Sequence, residues 1–249
     1  MTALTWTDRL ALFSPLDAAA LLALLAGWIW IGWRIEHPAP HRPSVSILMN
    51  DVRRSWMREM VTRQPRMVDA QVLNILRQGT AFFASASMLA IGGGLALIGN
   101  PAPLRGVADD LRLDTAPDFV WEIKILLVLI LLSNAFLKFV WSHRLFGYTA
   151  VLVAAVPNDP DDPQAQPRAG QAAEVSITAA RSFNRAMRST YFALASAAWL
   201  LGPLALALAS AVTVAMLWRR EFSSNSRQIL LDLPHGAAAC PSAPGDTPS

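Results

Sequence analysis

Apolar positions along the chain gather into long charge-poor blocks, separated by stretches in which arginine recurs. A helix that crosses the hydrocarbon core needs ~20 apolar residues at ~1.5 Å rise each, and four segments reach that length. Leu16 to Trp33 carries only Asp17, at its outer edge; Gly79 to Gly99 carries no charge; Phe119 to Ser142 carries Glu122, Lys124 and Lys138; Tyr191 to Trp218 carries none. In the third segment Trp121 and Trp141 are spaced to sit in the two interfacial belts of one span. Gly202-Pro203 interrupts the fourth, where the amide missing from Pro203 frees the carbonyl of Trp199 and predicts a kink. The expected fold is an all-α membrane protein, a bundle of four transmembrane helices with amphipathic cytoplasmic helical extensions.

The polar stretches are patterned too. Ser44 to Arg77 reads as helical, with Pro65 placed to begin a new helix and Val68, Val72, Leu73 and Leu76 forming a 3.6-period stripe. Pro157 to Gly170, with four prolines and three aspartates, reads as a break, and Gln171 to Ser189 as a helix running into the fourth span. Leu145 to Val156 is apolar but too short to span, which leaves a helix overhang, an interfacial helix or a re-entrant piece open. The domain reading is a short segment over 1–15, a membrane domain over 16–223 and a tail over 224–249, disordered from residue 234 by its composition. Trp28, Ile29, Trp30 and Trp33 at the end of the first block mark a retained span, since a signal peptide ends in a small-residue cleavage site. Outside the spans, the loops after the first and third carry thirteen Lys and Arg and the remaining segments six. This asymmetry predicts that both termini are non-cytoplasmic.

Composition agrees with this picture and removes alternatives. The chain of 249 residues is 53% hydrophobic and 16% charged, with a mean hydropathy of +0.35. Its net charge of +3 is scattered between apolar blocks, so no nucleic-acid footprint is expected. The single cysteine, Cys240, excludes an internal disulfide. His37 and His41 have a metal-like spacing, but Pro38, Pro40 and Pro43 forbid the helix that would give it meaning, so no metal is expected. No phosphate-binding glycine loop, nucleophile elbow or paired-carboxylate site appears, so no cofactor is expected and a membrane-embedded enzyme is left only to a chemistry outside these motifs.

The remaining candidates are charged or small. Arg181, Arg185 and Arg188 share one helix face with Asn184 beside them, and with Arg63 and Arg66 they are expected to form a cytoplasmic surface for anionic head groups or an anionic ligand. Asp69 is expected to pair with Arg66 and to sit near the stripe. Glu122, Lys124, Asn134 and Lys138 form a candidate intramembrane polar site, set against interfacial anchoring and snorkelling for the charged three and helix-to-helix hydrogen bonding for Asn134. Ala86, Ala90 and Gly94 recur every four residues and predict close packing against another helix, within the chain or in a homo-oligomer.

Several ordered runs carry a resemblance. They are Arg54-Ser-Trp56-Met57 leading to Met60, Arg63, Arg66 and Asp69; Phe82-Phe83-Ala84-Ser85; Trp121-Glu122-Ile-Lys124; Lys138-Phe139-Val-Trp141; Ser182-Phe183-Asn184-Arg185; Tyr191-Phe192; and Arg220-Glu221-Phe222. Together, over Leu16 to Ser223, they resemble the bacterial inner-membrane proteins of the domain of unknown function 599 family. The resemblance implies a multi-span inner-membrane protein and supplies no activity, substrate or cofactor. The expectation is a membrane interaction or scaffold protein with the lipid bilayer as its first partner; the alternative is a carrier or channel for a small anionic solute.

Overall fold

Ser14 opens the first helix: its Oγ accepts the Asp17 amide at 3.1 Å, the Asp17 carboxylate accepts the Ser14 amide at 3.0 Å, and Pro15 occupies the first turn, where a missing donor costs nothing. The computed structural model describes residues 12–99 and 117–232, and among these there is no strand. The helices are α1 (Pro15–Glu36), α2 (Val45–Met60), α3 (Met67–Gly99), α4 (Asp118–Ala154), α5 (Ala165–Ala197), α6 (Pro203–Phe222) and α7 (Asn225–Asp232), with a 3-10 turn over Ala198–Leu201. The expected tail from residue 234 lies outside the described residues.

Among the described residues three helices are long and apolar enough to cross a membrane: Pro15–Glu36, Met67–Ile98 and Asp118–Ala154. Only 6% of the apolar window of α3 is buried within the chain. An outward surface that apolar belongs in lipid, and the chain is a helical membrane protein.

The framework is the antiparallel pair α4 and α5, the most extensive contact in the molecule. It is close because α5 meets α4 with small side chains: Ala169, Ala172, Ala179 and Ala186 are all fully buried. Ser142 Oγ donates to the Ala179 carbonyl at 2.8 Å, which fixes the register. The piece 145–156 proves to be an overhang of α4, which continues to Ala154 and buries Phe146 and Val153 against Met57, Met60, Leu73 and the first turns of α5. The break before α5 is shorter than expected, because Gly170 already lies inside the helix.

α3 packs along α4, but on a different face from the one expected. Thr80 and Ser87 are buried and Gly94 lies against Leu129, whereas Ala86 and Ala90 are exposed. The seven-residue spacing of Thr80, Ser87 and Gly94 is the contact stripe, and of the predicted small-residue set only Gly94 belongs to it. A Cβ on Gly94 would stand 2.5 Å from Leu129 Cδ2, while one on Gly93 would meet nothing within 4 Å.

The expected fourth span is not one kinked helix. Gly202 takes φ 118°, a backbone region open to glycine, and donates its amide to Trp199 O at 3.0 Å, satisfying the carbonyl that Pro203 cannot reach. The chain reverses there. Arg220 Nη1 reaches the Tyr191 hydroxyl at 3.3 Å, although 29 residues of straight helix would hold them ~43 Å apart. α6 therefore runs back along α1, with Trp218 stacked on Trp30 at 5.6 Å.

This reversal separates the two described ends of the chain. At one end of the bundle Trp199 Nε1 donates to Asp17 at 2.6 Å, near the first described residues. At the other, Arg227 donates to Pro43 O at 2.9 Å and Glu221 accepts the Ser46 amide at 3.1 Å, so the last described residues lie with the first polar loop. The two described ends of the chain lie at opposite ends of the bundle.

Two outcomes follow. In a Cys240→Ser background, Arg58→Cys and Ser226→Cys are expected to react with an impermeant maleimide from one side of the membrane and Leu12→Cys from the other; reaction of Ser226→Cys together with Leu12→Cys would restore the one-sided arrangement. Gly94→Leu is expected to cost about 1–3 kcal/mol in a detergent unfolding assay by overpacking Leu129, and Gly93→Leu far less.

Candidate functional site

Ser44 links the end of α1 to the start of α2. Its Oγ donates to Ile35 O at 2.8 Å and accepts the Ile47 amide at 3.4 Å, so α2 begins tight against the last turn of α1. That junction leaves Glu36, the last residue of α1, facing α5. Arg185 Nε donates to Glu36 Oε1 at 2.8 Å, Arg185 Nη2 donates to Oε2, and Arg188 Nη2 donates to Oε1. Arg188 is 5% exposed. A buried guanidinium needs an anion in contact, and one carboxylate serves two arginines here.

A second carboxylate closes the same end. Glu221, also buried, accepts from the Ser46 amide at 3.1 Å and the Ser46 hydroxyl at 3.0 Å through Oε2. It lies at the N-terminus of α2, where the helix dipole favours negative charge. Arg220 touches its other oxygen at 3.5 Å.

These groups line a cavity of about 740 Å³ between the end of α1, α2, α3 and α5, bounded below by the end of α6. Such a volume suits a small-molecule ligand. Five arginines (Arg53, Arg181, Arg185, Arg188 and Arg220) face it against two carboxylates, Glu36 and Glu221. Neither Arg53 nor Arg181 forms an ion pair among the described residues. Arg53 Nη1 donates to Ser176 Oγ at 3.0 Å, and its Nε is shut off from solvent without a partner. Burial with no carboxylate beside it pulls the Arg53 guanidinium below its ordinary value. The adjacent Arg54 shows the opposite: its hydrogen bond to Glu174, with Asp51 adding to the effect, raises it.

A family model, described as Protein of unknown function, DUF599, matches residues 19–226. The chain belongs to this family. The DUF599 match runs from the first turns of α1 to the start of α7, so it takes in every helix that lines the cavity. No curated protein and no solved structure matches the chain. Four of the runs that suggested DUF599 from the sequence meet in space. Phe83, Phe139 and Phe183 come from three of them and pack ring against ring, with centroids 5.5 to 5.8 Å apart, where α3, α4 and α5 join beside the cavity. Asn184 and Arg185, from the same run as Phe183, and Arg220 and Glu221, from one more, line it.

The expected sites divide. Arg181, Asn184, Arg185 and Arg188 all face the cavity. Arg63 and Arg66 do not join them. Arg63 pairs with the fully buried Asp69, which also accepts Trp56 Nε1 at 2.7 Å, and Arg66 donates to Val156 O and Pro157 O at 2.7 and 2.6 Å. These contacts staple the α2–α3 elbow to the end of α4, beside the start of α5 and ~30 Å along that helix from Arg185. Asp69 is thus the partner of Arg63 and not of Arg66.

The four intramembrane residues do not form one site. Asn134 Nδ2 donates to Ser189 Oγ at 2.6 Å, a helix-to-helix bond as weighed for it. Lys138 lies 5.8 Å from the Trp28 ring and interacts with the Glu36, Arg185 and Arg188 group. Lys124 lies at the far end, over Trp121 and Trp199. Glu122, on the same turn of α4 as Lys124, is partly exposed.

Sequence reasoning missed Glu36, Arg53 and Glu221. One signal was present for Arg53, which shares an i, i+4, i+7 stripe with the buried Met57 and Met60. An arginine on an apolar stripe is the mark of a site. Glu36→Gln is expected to lower stability by about 3 kcal/mol in a detergent unfolding assay, because it leaves Arg188 buried without an anion; unchanged stability would show that solvent reaches Arg188.

Proposed function

We propose that this DUF599 protein is a multi-pass inner-membrane protein that binds an anionic group in the arginine-lined cavity at its cytoplasmic end, acting as a membrane interaction protein and not as an enzyme. The observation that carries the reading is the charge balance of the cavity: five arginines against two glutamates, with Arg53 and Arg181 unpaired among the described residues. Planar guanidinium forks suit phosphate and carboxylate oxygens. The cytoplasmic assignment draws on the reversal at Gly202, which brings Arg219, Arg220 and Arg227 to the same end of the bundle as the arginine-rich loop after α1. In this reading α6 and the upper part of α5 complete the membrane bundle as a fourth, hairpin-like element beside α1.

A carrier for a small anion is the second reading, favoured by Lys138 next to the cavity arginines. Beyond Arg188, however, Leu24, Leu131 and Phe192 fill the interior at 0–1% exposure, which supports a dead-end cavity over a pathway.

The test is anion binding to the purified full-length protein, with inorganic phosphate as the probe at low and high ionic strength. Arg181→Ala removes an exposed side chain that holds no other element in place, so it is expected to weaken binding roughly 10-fold without loss of stability. Binding that is absent, or indifferent to both salt and Arg181, would sink the proposal.

A further inference from the structure

The cavity has two chemically different walls. α2 and α5 supply Arg53 and Arg181, interleaved with apolar side chains such as Ile47 and Met187; α3 supplies no charge, only Ile75, Leu76, Gly79 and Thr80, neighbours on one helix face. That apolar wall does not end at the cavity. Gly79 begins the charge-free run to Gly99, so from the arginines the wall of α3 leads directly into the hydrocarbon slab. The extended packing of α3 is confined to α4. Its other flank, toward the end of α1 and α2, is thus the open side of the cavity, with Ile75 57% and Phe82 68% exposed there and along the run above.

Gly79 marks the opening. A Cβ built on it meets nothing within 4 Å, although it lies on the cavity wall in the middle of a helix. Glycine there costs helix stability of roughly 0.8–1 kcal/mol relative to alanine, and no close neighbour requires it. The missing side chain leaves room beside a polar pocket where the charge-free run of α3 begins.

We propose that the ligand of this cavity is a phosphate-bearing amphiphile that enters sideways from the bilayer between α3 and the α1–α2 corner, its phosphate on Arg53 and Arg181 and its apolar chain along Leu76, Gly79 and Phe82. The inference rests on the anion reading above and adds the source and the path of the anion. Phosphate is favoured over a single carboxylate because the lining carries a surplus of three positive charges, which a phosphomonoester neutralises more fully. An apolar chain leaving along α3 explains why one wall of an arginine cavity is aliphatic.

The experiment uses the full-length protein in detergent with three probes: dihexanoyl phosphatidic acid, glycerol 3-phosphate and inorganic phosphate. The amphiphile is expected to bind at least tenfold more tightly than glycerol 3-phosphate. Gly79→Leu, which fills open space and keeps the helix, is expected to bring the affinities for the amphiphile and glycerol 3-phosphate together, and Gly79→Ala to retain most of the difference. Arg53→Gln is expected to weaken all three probes together. Partition of the amphiphile into micelles would survive Gly79→Leu, so an advantage that persists in this variant overturns the proposal. Equal binding of amphiphile and glycerol 3-phosphate to the unaltered protein also overturns it, with the anion reading intact and a free phosphate as the source. Failure of every probe, inorganic phosphate included, overturns both.

Discussion

The guanidinium of Arg188 is enclosed by protein, and it stays there because α1 ends on a carboxylate. Desolvating a cation costs several kcal/mol unless an anion and further hydrogen bonds take the place of water. Glu36 supplies that anion, and in doing so it sets where α1 must stop relative to α5. The next residues follow from it: Ser44 returns to Ile35 O, α2 begins at Val45, and its exposed amide at Ser46 meets Glu221. Three helix ends and one helix interior are thereby joined through two carboxylates.

The same constraint explains the shape of the last helix pair. Glu221 can reach the start of α2 only if the chain comes back from the far end, and Gly202-Pro203 provides the return. Proline removes a donor and glycine permits a backbone angle that ends the helix, so α6 descends beside α1 with Val214 against Gly27 and Trp218 against Trp30. An unbroken fourth span would have carried Arg220 and Glu221 to the opposite membrane face. There Arg188 would have lost the second carboxylate in its surroundings and α2 its N-terminal anion.

Much of the fold was legible because hydrophobic length is a local property. The blocks beginning at Leu16, Gly79 and Phe119 became α1, α3 and α4. The block at Tyr191 was read as one element because its apolar run is continuous, and composition does not record direction; Gly202-Pro203 signalled a bend without its angle. The arginine stripe on α5 was legible from spacing alone, since i, i+4 and i+7 positions share a face. Its counter-ion was not. Glu36 lies 149 residues from Arg185 in the chain, and only the antiparallel packing of α1 and α6 with α5 brings them together. The pairing of Asp69 failed for a related reason: three residues from Arg66 is close in sequence, but the elbow at Pro65 turns Arg66 toward the carbonyls ending α4 and leaves the carboxylate to Arg63 and Trp56.

What separates the cavity from the rest of the molecule is how the chain treats its arginines elsewhere. At the α2–α3 elbow and its surroundings they are paired or spent on carbonyls: Arg54 on Asp51 and Glu174, Arg63 on Asp69, Arg66 on the end of α4. Replacing a buried charge with an apolar side chain of similar volume is commonly neutral or stabilising. Arg53 is half-buried on the same stripe as Met57 and Met60, and a methionine or leucine there would serve the packing as well. Its guanidinium is instead held by Ser176 with no carboxylate in contact, in a cavity already rich in positive charge. Fold stability gives no reason for that arrangement, and an anion that arrives from outside the chain does.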